Sequence, residues 1–344
     1  MKALVVHGIS DVKLEEVDIP TIDEKQVLVK VKACGICGSD LPRVLDGQAH
    51  YFPIILGHEF AGEIVKIGSE VKGWSLGDRV TAAPLLPCSI CNYCTMGKPH
   101  MCTSYSFIGS RENGAMAEYV AVNQQNLIKL PEEVSYTQGT LIEPITVAIH
   151  GVDRVNLRLG ETVLVLGLGT IGLLTIQCLK AAGVGKIYAI DIVNEKLKIA
   201  KQLGADVAIN SLEVDLKEYF AKNEQPTAVF ETSGSAIGQA QSLSVVDKLG
   251  KVVYIGTSTK NVILTPSEFE KILRGELEVT GSWMSYSAPF PGYEWDTAVR
   301  LIKEKKIDVS PIITHKFRLE DGLKAFEILR DKNSNAIKVI FTID

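Results

Sequence analysis

Thr162-Val163-Leu164-Val165-Leu166-Gly167-Leu168-Gly169-Thr170-Ile171-Gly172 sets a near-continuous apolar run directly before a glycine turn. Such a run reads as a strand buried on both faces, and the turn that follows fits G-x-G-x-x-G at the opening of a helix. Gly167 permits a tight turn, Gly169 lets the backbone approach a pyrophosphate, and Gly172 allows close helix–strand packing. The N–H groups at Thr170 and Ile171 then face the phosphates with the partial positive charge of the helix start. Asp191 closes the next expected strand, where a carboxylate can accept the ribose hydroxyls of an adenosine. Ile192 and Val193 follow it and supply no cation for a 2′-phosphate, which points to NAD over NADP.

Outward from this turn the pattern repeats. A helix is expected over 170–182, a strand over 186–191 and a helix over 194–203. Further strands are expected at Ala228-Val229-Phe230-Glu231, Lys251-Val252-Val253-Tyr254-Ile255 and Glu278-Val279-Thr280. Alternating buried strands and helices imply an α/β fold with a doubly wound parallel sheet. Thr232 and Gly256, at strand ends of that sheet, are expected to flank the cofactor. Helices are expected over 294–305 and 317–330, with a last strand at Ile337-Lys338-Val339-Ile340-Phe341. Upstream of residue 150 the style differs. Short runs such as Val27-Leu28-Val29-Lys30-Val31 and Gly62-Glu63-Ile64-Val65-Lys66-Ile67-Gly68, separated by Gly and Pro, read as antiparallel β structure.

The chain has 344 residues, 46% hydrophobic and 22% charged, with net charge -5. That balance suits two soluble globular domains and gives no electrostatic reason to expect nucleic acid. The N-terminal apolar run is too short for a signal peptide, and glycines interrupt the most apolar stretch, so neither export nor a membrane span is expected. A cytoplasmic location follows. There are 7 cysteines. In a reducing compartment, Cys88-x2-Cys91-x2-Cys94-x7-Cys102 implies a closed tetrahedral zinc site, structural because no position stays open for substrate. A second set is scattered: Cys37, His58 with Glu59, and Glu143. A Cys, a His and a carboxylate would leave a fourth position open, but spacing alone does not assemble them.

The order Cys37-Gly38-Ser39-Asp40, Gly57-His58-Glu59, the four-cysteine loop, Glu143-Pro144 and the glycine turn resembles the zinc-dependent medium-chain alcohol and polyol dehydrogenases. The resemblance implies a GroES-like β-rich catalytic domain, residues 1–152 and 285–344, around an NAD-binding Rossmann domain, residues 153–284. It implies Cys37 and His58 as ligands of a catalytic zinc, with Glu59 or Glu143 as the carboxylate. Asp40 would orient the ligand histidine, and Ser39 would take the alcohol proton. Pro42 stands where some members carry a relay histidine, so the outer proton path must differ. Segments around Arg43, His50-Tyr51, Arg111 and Trp283 are similar to those of family members that act on galactitol 1-phosphate. This implies oxidation of a secondary hydroxyl of a polyol phosphate, with Arg43, His50 and Arg111 available for the phosphate. Sorbitol, arabitol phosphate or threonine are rival substrates, and a non-enzymatic zinc-ribbon module is a rival from another class. The family implies a homodimer or homotetramer.

Overall fold

The strand Thr162–Leu166 is buried along its whole length, because it pairs on both edges and is covered on both faces. It lies third in a parallel sheet ordered Val207–Asn210, Lys186–Asp191, Thr162–Leu166, Ala228–Glu231, Lys251–Tyr254, Glu278–Gly281. The sequence order reverses at Thr162–Leu166, so the crevice beyond its C-terminal end is the switch point of a doubly wound fold. Helices Thr170–Ala181, Asn194–Gln202, Leu216–Lys222, Ala236–Val245 and Pro266–Arg274 supply the crossovers. Leu164, Tyr188, Val229 and Val252 from the strands pack with Leu216, Phe220 and Leu243 from the helices.

This computed structural model describes residues 1–344. The sheet belongs to one of two compact units, Pro144–Ser285 with Lys306–Asp308; the other comprises Met1–Glu143, Tyr286–Lys305 and Val309–Asp344. In that other unit the main sheet runs Leu127–Lys129, Arg79–Ala82, Glu59–Ile67, Gln26–Gly35, Lys338–Thr342, Ile313–Phe317, with Tyr119–Asn123 also on Gln26–Gly35. Its core joins Val29, Val31, Phe60 and Ile64 to Phe326 and Phe341 from the far end of the chain. The register Ile340↔Gly35 brings the C-terminal strand beside the segment leading into Cys37.

Several expected elements differ. The helix expected over 317–330 begins only at Gly322, because Phe317 ends a strand, Ile313–Phe317, paired in parallel with Lys338–Thr342. Ile313, His315 and Phe317 alternate with more exposed Thr314 and Lys316, the period of a strand. The helix expected over 294–305 is Tyr293–Lys303. The strand Val207–Asn210 and the helices Leu216–Lys222, Ala236–Val245 and Pro266–Arg274 are further elements of the parallel-sheet unit, the last opened by a capping box of Thr265 and Glu268 with Pro266 at its first position. Short helices Asp40–Leu45 and Ile142–Val152 interrupt the region expected to be β, and both carry candidate site residues. No helix is long and apolar enough to cross a membrane.

Candidate active site

Cys37 follows the strand Gln26–Gly35, and Ser39-Asp40 start the helix Asp40–Leu45. Asp40 is fully buried. Its Oδ2 accepts from the Cys37 N–H at 3.1 Å and its Oδ1 from Arg43 Nη1 at 3.1 Å. The carboxylate therefore braces the Cys37 turn. His58 Nδ1 stands 3.8 Å from Asp40 Oδ1, beyond hydrogen-bond reach, and has no hydrogen-bond partner although buried. Ser39 Oγ donates to Cys37 Sγ at 3.2 Å and accepts from Arg43 Nη1 at 2.9 Å.

His58 and Glu59 enter at the start of Glu59–Ile67. Gly57 before them adopts φ +101, and a Cβ there would strike Cys34 Sγ and Met116, so glycine is needed to turn His58 inward. The His58 ring meets Phe107 edge-on at 5.5 Å. Ligand atoms of Cys37, His58 and Glu59 lie within 4.8 Å of one another. Glu143 comes from the first turn of Ile142–Val152. Its carboxyl is pushed up to about 7 by burial, with His58 opposing and Glu59 reinforcing the shift. Burial, then Glu59 and Asp40, push the Cys37 thiol up to about 12. Acids that resist ionisation together, beside an unpartnered buried imidazole nitrogen, form a donor set that a divalent cation satisfies. Zinc fits these residues.

Lys338 also enters this site, from the C-terminal strand. Its ammonium is buried, donates to the Ile36 carbonyl at 3.0 Å and pairs with Glu59 Oε2. Burial pulls this ammonium down, yet Glu59 and Cys37 together hold it above its ordinary value. A lone cation inside the apolar strand Lys338–Thr342 was the available signal.

The four-cysteine loop also closes: ligand atoms of Cys88, Cys91, Cys94 and Cys102 lie within 4.8 Å of one another. Backbone N–H groups of Cys91 and Cys88 point to Cys88 Sγ and Cys102 Sγ, each at 3.3 Å. Cys91 is drawn down to about 6, chiefly by N–H groups of Cys94 and Thr103, whereas burial holds Cys94 up at about 12. Sulfurs ringed by N–H donors suit thiolates on zinc.

In the parallel-sheet unit Gly167 adopts φ +90, and a Cβ on it would strike Ser233. A Cβ on Gly172 would collide with the Gly167 carbonyl, while one on Gly169 would meet nothing within 4 Å. The turn is thus packed on one side and open at Gly169, as an approaching pyrophosphate requires. Thr232 Oγ1 donates to the Gly167 carbonyl at 2.6 Å and so holds the turn. Gly256 packs on Gly234 with no room for a side chain. Asp191 Oδ2 accepts from the Leu168 N–H at 2.6 Å, and Oδ1 accepts from Ile192 and Val193 at 2.8 and 2.9 Å. Of about four lone-pair sites on a carboxylate, one on Oδ2 remains for a ribose hydroxyl. A cavity of about 600 Å³ in this unit is lined by Ser211, Leu212, Ala236 and Ile237 among others, and the Ser211 N–H bonds the Asp191 carbonyl at 3.2 Å.

His50 is exposed, and its imidazole is pushed down by partial burial and then by Arg111 and Arg43. His50 therefore feels the charges of both Arg111 and Arg43. Arg111 stacks on Tyr105 with its guanidinium 4.6 Å from the ring centre. Tyr51 is exposed beside them in sequence, and Trp283 lies exposed in the parallel-sheet unit, after its last strand.

Residues 23–132 match the alcohol dehydrogenase GroES-like domain, and residues 170–304 match the zinc-binding dehydrogenase domain. The chain is 40% identical to galactitol 1-phosphate 5-dehydrogenase of Escherichia coli K12, covering 98% of each chain. It is 34% identical to a sorbitol dehydrogenase of Halalkalibacterium halodurans, covering 99% of each. The crystal structure of galactitol-1-phosphate dehydrogenase from Escherichia coli superposes with TM-score 0.94 at 39% identity over 100% of both chains. A zinc-binding dehydrogenase from Sinorhizobium meliloti bound to NADP gives TM-score 0.92 at 28% identity, covering 99% of each. An alcohol dehydrogenase from Escherichia coli CFT073 complexed with NADH gives 0.92 at 30%, covering 100% of this chain and 99% of the other. Two matched domains, a catalytic-type donor set beside a closed four-cysteine site, and full-length similarity lead to one conclusion: the chain belongs to the zinc-dependent medium-chain alcohol and polyol dehydrogenases.

Proposed function

We propose that this enzyme oxidises a secondary hydroxyl of a polyol phosphate, galactitol 1-phosphate by similarity, to the ketose phosphate with NAD. The observation that carries the phosphate is His50, which feels the charges of both Arg111 and Arg43 in the unit that holds Cys37 and His58. The full-length similarity to galactitol 1-phosphate 5-dehydrogenase supports the sugar. Asp191, followed by Ile192 and Val193, supports NAD, since a 2′-phosphate there would meet a carboxylate and no cation.

Cys37, His58 and one of Glu59 and Glu143 would hold the catalytic zinc, and Cys88, Cys91, Cys94 and Cys102 would hold the structural one. The catalytic zinc supplies Lewis acidity to the reacting hydroxyl. A bound nicotinamide would supply the hydride acceptor. Asp40 fixes the Cys37 turn through the Cys37 N–H, and Arg43 closes that brace. Ser39 takes the hydroxyl proton. It passes the proton outward to water, because Arg43, its other partner, has no acceptor. Gly167, Gly169 and Gly172 with the N–H groups of Thr170 and Ile171 hold the pyrophosphate, Asp191 accepts a ribose hydroxyl, and Thr232 and Gly256 shape the turn from below. Arg111, with Tyr51 and His50, faces the phosphate. Arg43 is divided between that cluster and Asp40.

The enzyme works as a homodimer or homotetramer, for which the exposed edge strand Glu278–Gly281 and exposed Phe269 and Leu273 offer surface. It is cytoplasmic, where thiols stay reduced for zinc. A substrate panel followed by NADH absorbance tests the reading. Arg111→Ala should raise KM for galactitol 1-phosphate roughly tenfold or more, the scale of one lost charge-assisted bond, and barely change KM for galactitol. Arg43→Ala should also lower kcat for both substrates. Equal KM effects of Arg111→Ala on the two polyols would favour an unphosphorylated substrate, as the sorbitol dehydrogenase similarity suggests.

A further inference from the structure

The wall beside Asp191 carries a second carboxylate, Glu213, to which the cofactor reading gives no role. In the parallel register Asp191 stands opposite Asn210, the last residue of the outermost strand Val207–Asn210. Asn210 is buried, and its side-chain amide gathers the two loops that leave these strands. Nδ2 donates to Asn194 Oδ1 at 2.8 Å, to Glu213 Oε1 at 3.2 Å and to the Ile192 carbonyl at 3.4 Å, while Oδ1 accepts from the Leu212 N–H at 3.0 Å. Asn194 Nδ2 donates to the same Glu213 oxygen at 3.3 Å. Glu213 is thus held by two amides against the segment that follows Asp191. It lines the cavity of about 600 Å³ together with Ser211, whose N–H bonds the Asp191 carbonyl.

Amides fix a carboxylate without neutralising it. The other charges on this wall are committed elsewhere. Glu195, in the first turn of Asn194–Gln202, pairs with Lys198 at 2.7 Å. Lys217, the cation among the cavity-lining residues, pairs with Glu268 at 3.2 Å. Asp215 caps the helix Leu216–Lys222 by accepting from the Glu218 N–H at 3.0 Å. The start of Asn194–Gln202, just past Asp191, would by itself favour a phosphate through its N–H groups and partial positive charge. Glu213 sets a fixed negative charge against that helix start.

Resting on the NAD reading above, we propose that Glu213 is a second determinant of cofactor choice, a charge on the neighbouring strand's loop that turns away the 2′-phosphate of NADP. The test is equilibrium titration of NAD and of NADP against the fluorescence of the purified, zinc-loaded protein, read as the ratio of the two Kd values. Glu213→Gln keeps an oxygen for Asn194 and Asn210 and removes only the charge. The NADP-to-NAD ratio should therefore fall roughly three- to tenfold, the scale of one partly screened charge. Asp191→Asn/Glu213→Gln should lower the ratio further than Asp191→Asn does. The gap between the parent and Glu213→Gln should narrow as salt rises from about 0.02 to about 0.5 M, because salt screens a charge and leaves a change of loop shape untouched. A Glu213→Gln ratio within about twofold of the parent's, or a gap that salt does not narrow, would overturn the inference and leave Glu213 a brace between two loops. A parent chain that binds NADP as tightly as NAD would overturn the NAD reading itself, and this inference with it.

Discussion

Asp191→Asn separates two functions of one carboxylate. In the native protein Oδ1 serves the adjacent N–H groups of Ile192 and Val193, and Oδ2 reaches back to Leu168 within the glycine turn at 2.6 Å. Asparagine keeps one oxygen, which can still serve the local pair. Its amide nitrogen then faces the Leu168 N–H, donor against donor, and the tie from the second strand to the turn is lost. A hydrogen bond to a charged group is worth about 1.5–3 kcal/mol, and a stranded N–H adds a further cost of about 1–3 kcal/mol. Water can reach this half-buried position, so a net loss of about 2–4 kcal/mol is expected. At about 1.4 kcal/mol per decade, NAD should bind roughly 30-fold to several hundredfold more weakly. NADP should weaken less, because the carboxylate that repels its 2′-phosphate has gone. Equilibrium titration of each nucleotide against protein fluorescence, with the melting temperature as a control, measures both. An Asn variant that binds NAD within threefold of the parent would refute the reasoning, since the Leu168 contact would then carry no cofactor affinity.

Cys94→Ser should reduce zinc from two to one per chain and lower the melting temperature, while freshly purified protein keeps kcat within a fewfold; atomic absorption with steady-state kinetics checks it. An inactive variant that still contains two zinc would contradict a purely structural role. Glu231 gives a pH prediction. Burial pushes its carboxyl up, against hydrogen bonds from Ser233 and Gly234. A folded pKa above the unfolded value means that the folded chain holds the proton more tightly. The stabilising contribution is therefore full below the unfolded value and disappears as pH rises through the folded one. Glu231→Gln should flatten the decline in urea midpoint from acid to neutral pH; a parallel decline in both proteins would show that another group governs it.

The nucleotide-binding half was legible because its signals are local. A buried strand, a glycine turn and a helix start follow one another in Thr162 to Gly172, and the strand after them ends in Asp191 within the same βαβ unit. The four-cysteine loop was legible for the same reason, since chain spacing alone brings Cys88 to Cys102 around one point. The second metal set was different. Cys37, His58 and Glu143 are far apart in the chain, and only a family resemblance proposed them as a group; the tertiary structure gathers Cys37, His58 and Glu59 and brings Glu143 within reach of their charge. Arg43 also changed meaning: free in the sequence reading, it is largely committed to Asp40 and Ser39 once the helix Asp40–Leu45 forms. Sequence by itself determined the glycine turn and the cysteine tetrad, because each depends on neighbours along the chain, while the class of chemistry rested on the family resemblance. Only the tertiary structure decided that Lys338 meets Glu59, since that contact spans 279 residues and exists through sheet register alone.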